Sequence, residues 1–118
     1  MAIQVQSFAF HKSIAKAIAQ DMEAAYELKF LGNEQEREKA EEALARLSEQ
    51  FDRNVELGLR SIDAAIIDTE VISEIEALAD DARKAAAKLK ETLATIRKIN
   101  AAIGKVTKVL NKVAEIVL

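Results

Sequence analysis

The sequence predicts an all-α fold, a bundle or hairpin of three long antiparallel amphipathic helices with a coiled-coil-like seam. Three observations carry this. The 118 residues include no proline and only three glycines, Gly32, Gly58 and Gly104, so little interrupts a helix-favouring composition. Apolar residues recur at steps of three and four along most of the chain. A helix stop followed at once by a helix start stands at Leu31-Gly32-Asn33-Glu34.

The first helix is expected at about 6–31. Phe10, Ile14, Ala17, Ile18, Ala25, Leu28 and Leu31 form one apolar stripe, and several alanines let a neighbouring helix approach closely. Gly32 suits a left-handed residue that ends a helix. Asn33 suits the N-cap of the next, with Glu36 three residues on in the manner of a capping box. Glu34, Glu36 and Glu38 place negative charge where the helix dipole favours it.

The second helix is expected at about 34–67, with the stripe Ala40, Leu44, Leu47, Phe51, Val55, Leu59, Ile62 and Ile66. Gly58 inside it either weakens the helix by roughly 1 kcal/mol or marks close packing. Ser61 is an alternative cap.

The third helix is expected at about 70–118, with Asp68 or Thr69 as its cap. Val71, Ile75, Leu78, Ala82, Ala85, Leu89, Thr92, Ile96, Ile99, Ile103, Val106, Leu110, Val113 and Val117 alternate steps of four and three without a slip, longer than the three or four heptads that argue for a coiled-coil seam. Unbroken, this helix spans roughly 70 Å. The interruption candidates are Asn100 and Gly104; a break there makes a fourth helix. If the helix is continuous and turns back at Asp68, Ile103 lies opposite Asn33. Residues Gly104 to Leu118 then overhang by roughly 20 Å, an apolar stripe that needs covering.

Composition excludes several chemistries. Without cysteine there are no disulfides, thiolate nucleophiles or cysteine-ligated metals. His11 is the only histidine, too few for a triad or a histidine metal site. The carboxylate pairs Glu23/Glu27, Glu38/Glu42 and Glu70/Glu74 read as ordinary acidic helix faces, since no calcium-loop signature accompanies them. There is no glycine-rich phosphate loop and no Gly-x-Ser-x-Gly motif. The expectation is a non-enzyme with no cofactor, no metal and no small-molecule substrate. The absence of cysteine, of a secretory signal and of a membrane-spanning stretch points to the cytoplasm.

Charge is divided unevenly. Residues 1–82 hold 8 basic and 18 acidic side chains, a balance of −10, and residues 83–118 hold 9 and 2, a balance of +7. Such asymmetry reads either as internal pairing of an acidic helix with a basic one or as attraction of an anionic partner. Nucleic acid is disfavoured, because all five aromatic residues precede the basic run.

The functional expectation is a single helical domain, 1–118, that mediates protein–protein interaction or self-assembly. Its candidate partner-binding residues are Ile99, Ile103, Val106, Leu110, Val113 and Val117 on the C-terminal helix. The alternative is a membrane-active helical protein, a peripheral binder or pore-forming component. That reading uses the basic amphipathic segment 96–118, with Lys105, Lys108 and Lys112 meeting an anionic surface.

Overall fold

The turn between the first two helices is built by the residues that mark it in the sequence. In this computed structural model, which describes residues 3–62, 69–91 and 93–117, with side chains within 9–59, 73–91 and 93–116, α1 runs Ile3–Leu31 and α2 Glu34–Ile62. Asn33 and Glu36 form a reciprocal capping box. The Glu36 N–H donates to Asn33 Oδ1 at 2.9 Å, and the Asn33 N–H donates to Glu36 Oε1 at 3.0 Å. These two bonds satisfy amides that a helix start leaves unpaired.

Gly32 has a different reason from the expected one. No described glycine has positive φ. A Cβ at Gly32 would lie 2.6 Å from the Leu28 carbonyl oxygen and 2.8 Å from Glu36 Cβ. Glycine is needed because the Leu28 carbonyl and the Glu36 side chain crowd the position, not because of handedness.

The expected third helix is two helices. α3 spans Thr69–Lys88 and α4 spans Ile96–Val117. The break lies upstream of the expected candidates: Asn100 and Gly104 both sit inside α4. After Lys88 the chain tightens into i→i+3 bonds, with the amides of Leu89, Lys90 and Glu91 donating to the carbonyls of Ala86, Ala87 and Lys88 at 3.2–3.3 Å. Thr95 then caps α4, accepting at Oγ1 from the Lys98 amide at 3.3 Å. Leu89 and Ala94 are buried, so the turn is fastened to the core at both ends. The heptad phase runs on through Leu89 and Ile96, and for that reason hides the break.

The four helices make an up-down-up-down bundle. α1 packs on α2 and α3, and α4 packs on the same two from across the centre. α1 and α4 also touch, whereas α2 and α3 occupy the far diagonal and make no contact among the described residues. Arg46 meets Asn100 and Gln50 meets Thr107, so α2 and α4 run parallel. Glu74 meets Lys112 at 2.9 Å, as an antiparallel α3–α4 hairpin requires. The molecule measures 49 × 22 × 19 Å, and 29 residues of helix span roughly 44 Å, so α1 and α2 run nearly its full length. The overhang expected for Gly104 to Leu118 is absent, because the break after Lys88 brings α4 back alongside α2.

The core holds Ile14, Ile18, Leu28, Leu47, Ile99, Val106, Val109 and Leu110, each at 2% exposure or less. Alanines (Ala17, Ala25, Ala40, Ala43, Ala79, Ala82, Ala86, Ala102) fill the crossings, which lets the helices lie close. The expected stripe of α2 holds through Leu47 and then departs. Its buried positions continue as Gln50, Asn54 and Leu57, while Phe51, Val55 and Leu59 turn outward. Ile66 and Asp68 lie outside the described residues, and the side chains of Ile62 and Val71 lie outside the described side chains.

Candidate functional site

Each of the expected partner-binding positions with a described side chain faces inward. Ile99 and Val106 and Leu110 are 0% exposed, Ile103 4% and Val113 5%; the side chain of Val117 lies outside the described side chains. As the exposed seam of an overhanging helix this stripe is corrected. α4 meets α1, α2 and α3, and these cover it.

The expected anionic-surface lysines separate. Lys105 and Lys108 are exposed. Lys112 is paired with Glu74 at 2.9 Å and Glu115 at 3.7 Å, and the Glu74 carboxylate raises its pKa above the ordinary lysine value. Among the described residues two ion pairs join the acidic and basic halves of the chain, Asp80–Arg83 at their boundary and Glu74–Lys112 between α3 and α4. The charge polarity therefore stays largely on the surface.

A polar line runs through the core where periodicity predicts apolar contact. His11 donates from Nδ1 to Asn54 Oδ1 at 2.7 Å, and Asn54 Nδ2 donates back to the His11 carbonyl at 2.9 Å. Gly58 makes room for the ring, since a Cβ there would meet His11 Cγ at 3.2 Å. Burial lowers the His11 pKa and keeps the imidazole neutral. One turn earlier on α2, Gln50 Nε2 donates to the Ile103 carbonyl and to Thr107 Oγ1, both at 2.8 Å. The first pair locks the register of α1 on α2 and the second that of α2 on α4, because slippage would strand buried polar atoms.

Asp21 is the exception. It is 0% exposed, and neither carboxylate oxygen has a hydrogen-bond partner among the described residues. Burial raises its pKa from 3.8 to about 7. No cluster of three or more potential metal ligands occurs among the described residues, and the buried histidine serves a structural pair.

What the bundle presents outward is apolar surface on α1 and α2. Phe30 is 77% exposed, Leu31 71% and Leu59 63%, with Tyr26, Val55 and Phe51 also exposed. Tyr26 and Phe30 are four apart on α1; Phe51, Val55 and Leu59 are four apart on α2, so each set forms a line on its helix. The Lys29–Glu41 pair and the His11–Asn54 bonds show which edges of the two helices meet. By helical phase, both lines border the same outer seam at opposite ends, Tyr26 and Phe30 near the α1–α2 turn and Phe51, Val55 and Leu59 around the level of Asn54, the partner of His11, with half-buried Ala15, Met22 and Leu44 along the seam between them. Sequence reasoning missed this surface by assigning Phe51, Val55 and Leu59 to the core. The signal available was Gln50 and Asn54, which compete with them for the inward face.

Comparison with known protein families, characterised proteins and solved structures found no match.

Proposed function

We propose that this chain is a non-enzymatic helical interaction module that associates with a protein partner or with a second copy of itself through the outer α1–α2 seam. The observation that carries the reading is the outward exposure of two apolar clusters along this seam, Tyr26 and Phe30 toward the α1–α2 turn and Phe51, Val55 and Leu59 toward the other end. The C-terminal stripe plays the complementary part. It holds the bundle together and so presents the seam on a rigid support. On this reading the module acts in the cytoplasm, in keeping with its lack of cysteine.

Two tests bear on it. Solution mass over a range of concentrations, with Phe30→Asp and Leu59→Asp singly and together, tests self-association. A photo-crosslinking residue at position 30 or 59, compared with position 101 on the exposed face of α4, tests for a partner in cells. Adducts at 30 and 59 but not at 101, or a mass reduced by the Asp variants, are expected. A monomer at every concentration together with no adduct at 30 or 59 contradicts the reading.

A second reading, a membrane-active bundle, is supported by exposed Lys105 and Lys108 and by an apolar α4 face that an opened bundle would turn to lipid. No described helix is long and apolar enough to cross a membrane. Flotation with anionic but not neutral vesicles would favour it over the seam.

A further inference from the structure

The side of α4 that the core does not use borders α2 across an open groove of about 530 Å³. Arg46 and Arg53 stand on the α2 wall and Lys108 on the α4 wall, with Glu49 as the one acid. Among the described residues none of these three cations has a carboxylate within 4.0 Å; Arg46 donates instead to Asn100 Oδ1. Gly104 keeps the α4 wall low, since a Cβ there would meet nothing within 4 Å.

Gln50 forms part of the floor. It is 7% exposed, and its Nε2 is committed to Ile103 and Thr107. Its Oε1 has no donor among the described residues. Turning the amide over would set Oε1 against the Ile103 carbonyl, so the acceptor keeps its place. The Oε1 atom is sealed beneath the groove, and what the groove offers a ligand is a net excess of positive charge, three cations against Glu49, so a fitting ligand carries anionic groups.

We propose that this groove binds an acidic peptide segment of a protein partner, its carboxylates on Arg46, Arg53 and Lys108. Arginine suits planar carboxylates because its guanidinium presents paired donors. A nucleic-acid strand fits less well. No aromatic side chain lines the groove for base stacking, and Glu49 opposes a continuous phosphate backbone while tolerating spaced carboxylates. A lipid surface is flat, whereas these cations border a recess between two helices. The site is separate from the outer α1–α2 seam, so the two readings stand or fall independently.

The test is a fluorescence-anisotropy titration of the full chain with a labelled hexaglutamate peptide at low salt, repeated at raised salt. The groove variant is Arg46→Glu with Lys108→Glu. The control is Lys84→Glu with Lys90→Glu, an equal charge change at exposed positions near the end of α3. The expected result is saturable binding that weakens with salt, a loss of about tenfold or more in the groove variant and of less than about threefold in the control. Oligothymidylate and anionic phosphatidylserine vesicles should bind more weakly than the peptide. Should the charge reversal prevent folding, as read from its helical circular dichroism and melting, Arg53→Gln with Lys108→Gln gives the same ordering. Equal losses in groove and control variants, no saturable peptide binding at low salt, or tighter binding of oligothymidylate or vesicles would each overturn the proposal.

Discussion

Replacing Asp21 by asparagine should change the pH dependence of stability by an amount set by its burial. Asp21 lies on the inner face of α1, three residues after Ile18 and four before Ala25, both fully buried. An unfolded chain ionises this carboxyl near its ordinary value, whereas the folded chain keeps it protonated until about pH 7. Between those limits the folded state binds the extra proton, so stability falls as pH rises. A rise from 3.8 to about 7 corresponds to about 4 kcal/mol, at about 1.4 kcal/mol per pH unit. That is a large part of the roughly 5–15 kcal/mol that holds a domain folded. The asparagine variant has no such proton. Urea unfolding followed by circular dichroism, on wild type and Asp21→Asn at about pH 4 and about pH 8, isolates the effect, because His11 and the surface carboxylates cancel in the difference. The variant should gain on wild type by up to about 4 kcal/mol between the two pH values. A difference that stays constant within about 0.5 kcal/mol would refute the placement of Asp21 as an unpartnered buried carboxyl.

Three further outcomes follow from packing. Gly104→Ala should raise stability by up to about 1 kcal/mol, since its Cβ meets nothing and alanine favours the helix; Gly32→Ala should lower it, because backbone lies 2.6 Å away, and thermal melts of the two variants show the opposite signs. Asn54→Ala removes both bonds to His11 and should cost about 1–3 kcal/mol, read in urea at pH above the histidine range. Leu110→Ala should cost about 2–5 kcal/mol as a core truncation, and Val106→Asp with Leu110→Asp should unfold the chain, both read by chemical denaturation; a folded double variant would mean that α4 is not core.

Much of the fold is legible in the sequence where local chemistry decides it. Asn33 and Glu36 announce their cap three residues apart, and the α1 stripe from Ile14 to Leu28 lies in the core that its spacing implies. Legibility ends where the deciding partner is on another helix. Gln50 and Asn54 look like solvated residues until Ile103, Thr107 and His11 supply their bonds; with those bonds counted, Phe51, Val55 and Leu59 are displaced outward. The break between α3 and α4 is similarly hidden. Neither glycine nor proline marks it; its local signal is the weak helix former Thr95, and the heptad phase happens to continue across it. That continuity predicts an overhanging helix with an exposed stripe, which places the partner surface on residues that the chain covers itself.

The Ile99–Val113 stripe is covered within one chain, and on the proposed reading association falls to the outer α1–α2 seam. Hydrogen exchange of the α4 amides, measured as a function of protein concentration, tests it most directly. Protection across Ile99 to Val113 should approach the global stability of the chain and should not change on dilution. Protection of α4 that falls as the protein is diluted, while α1 and α2 remain protected, would show that a second molecule covers the stripe and would contradict it.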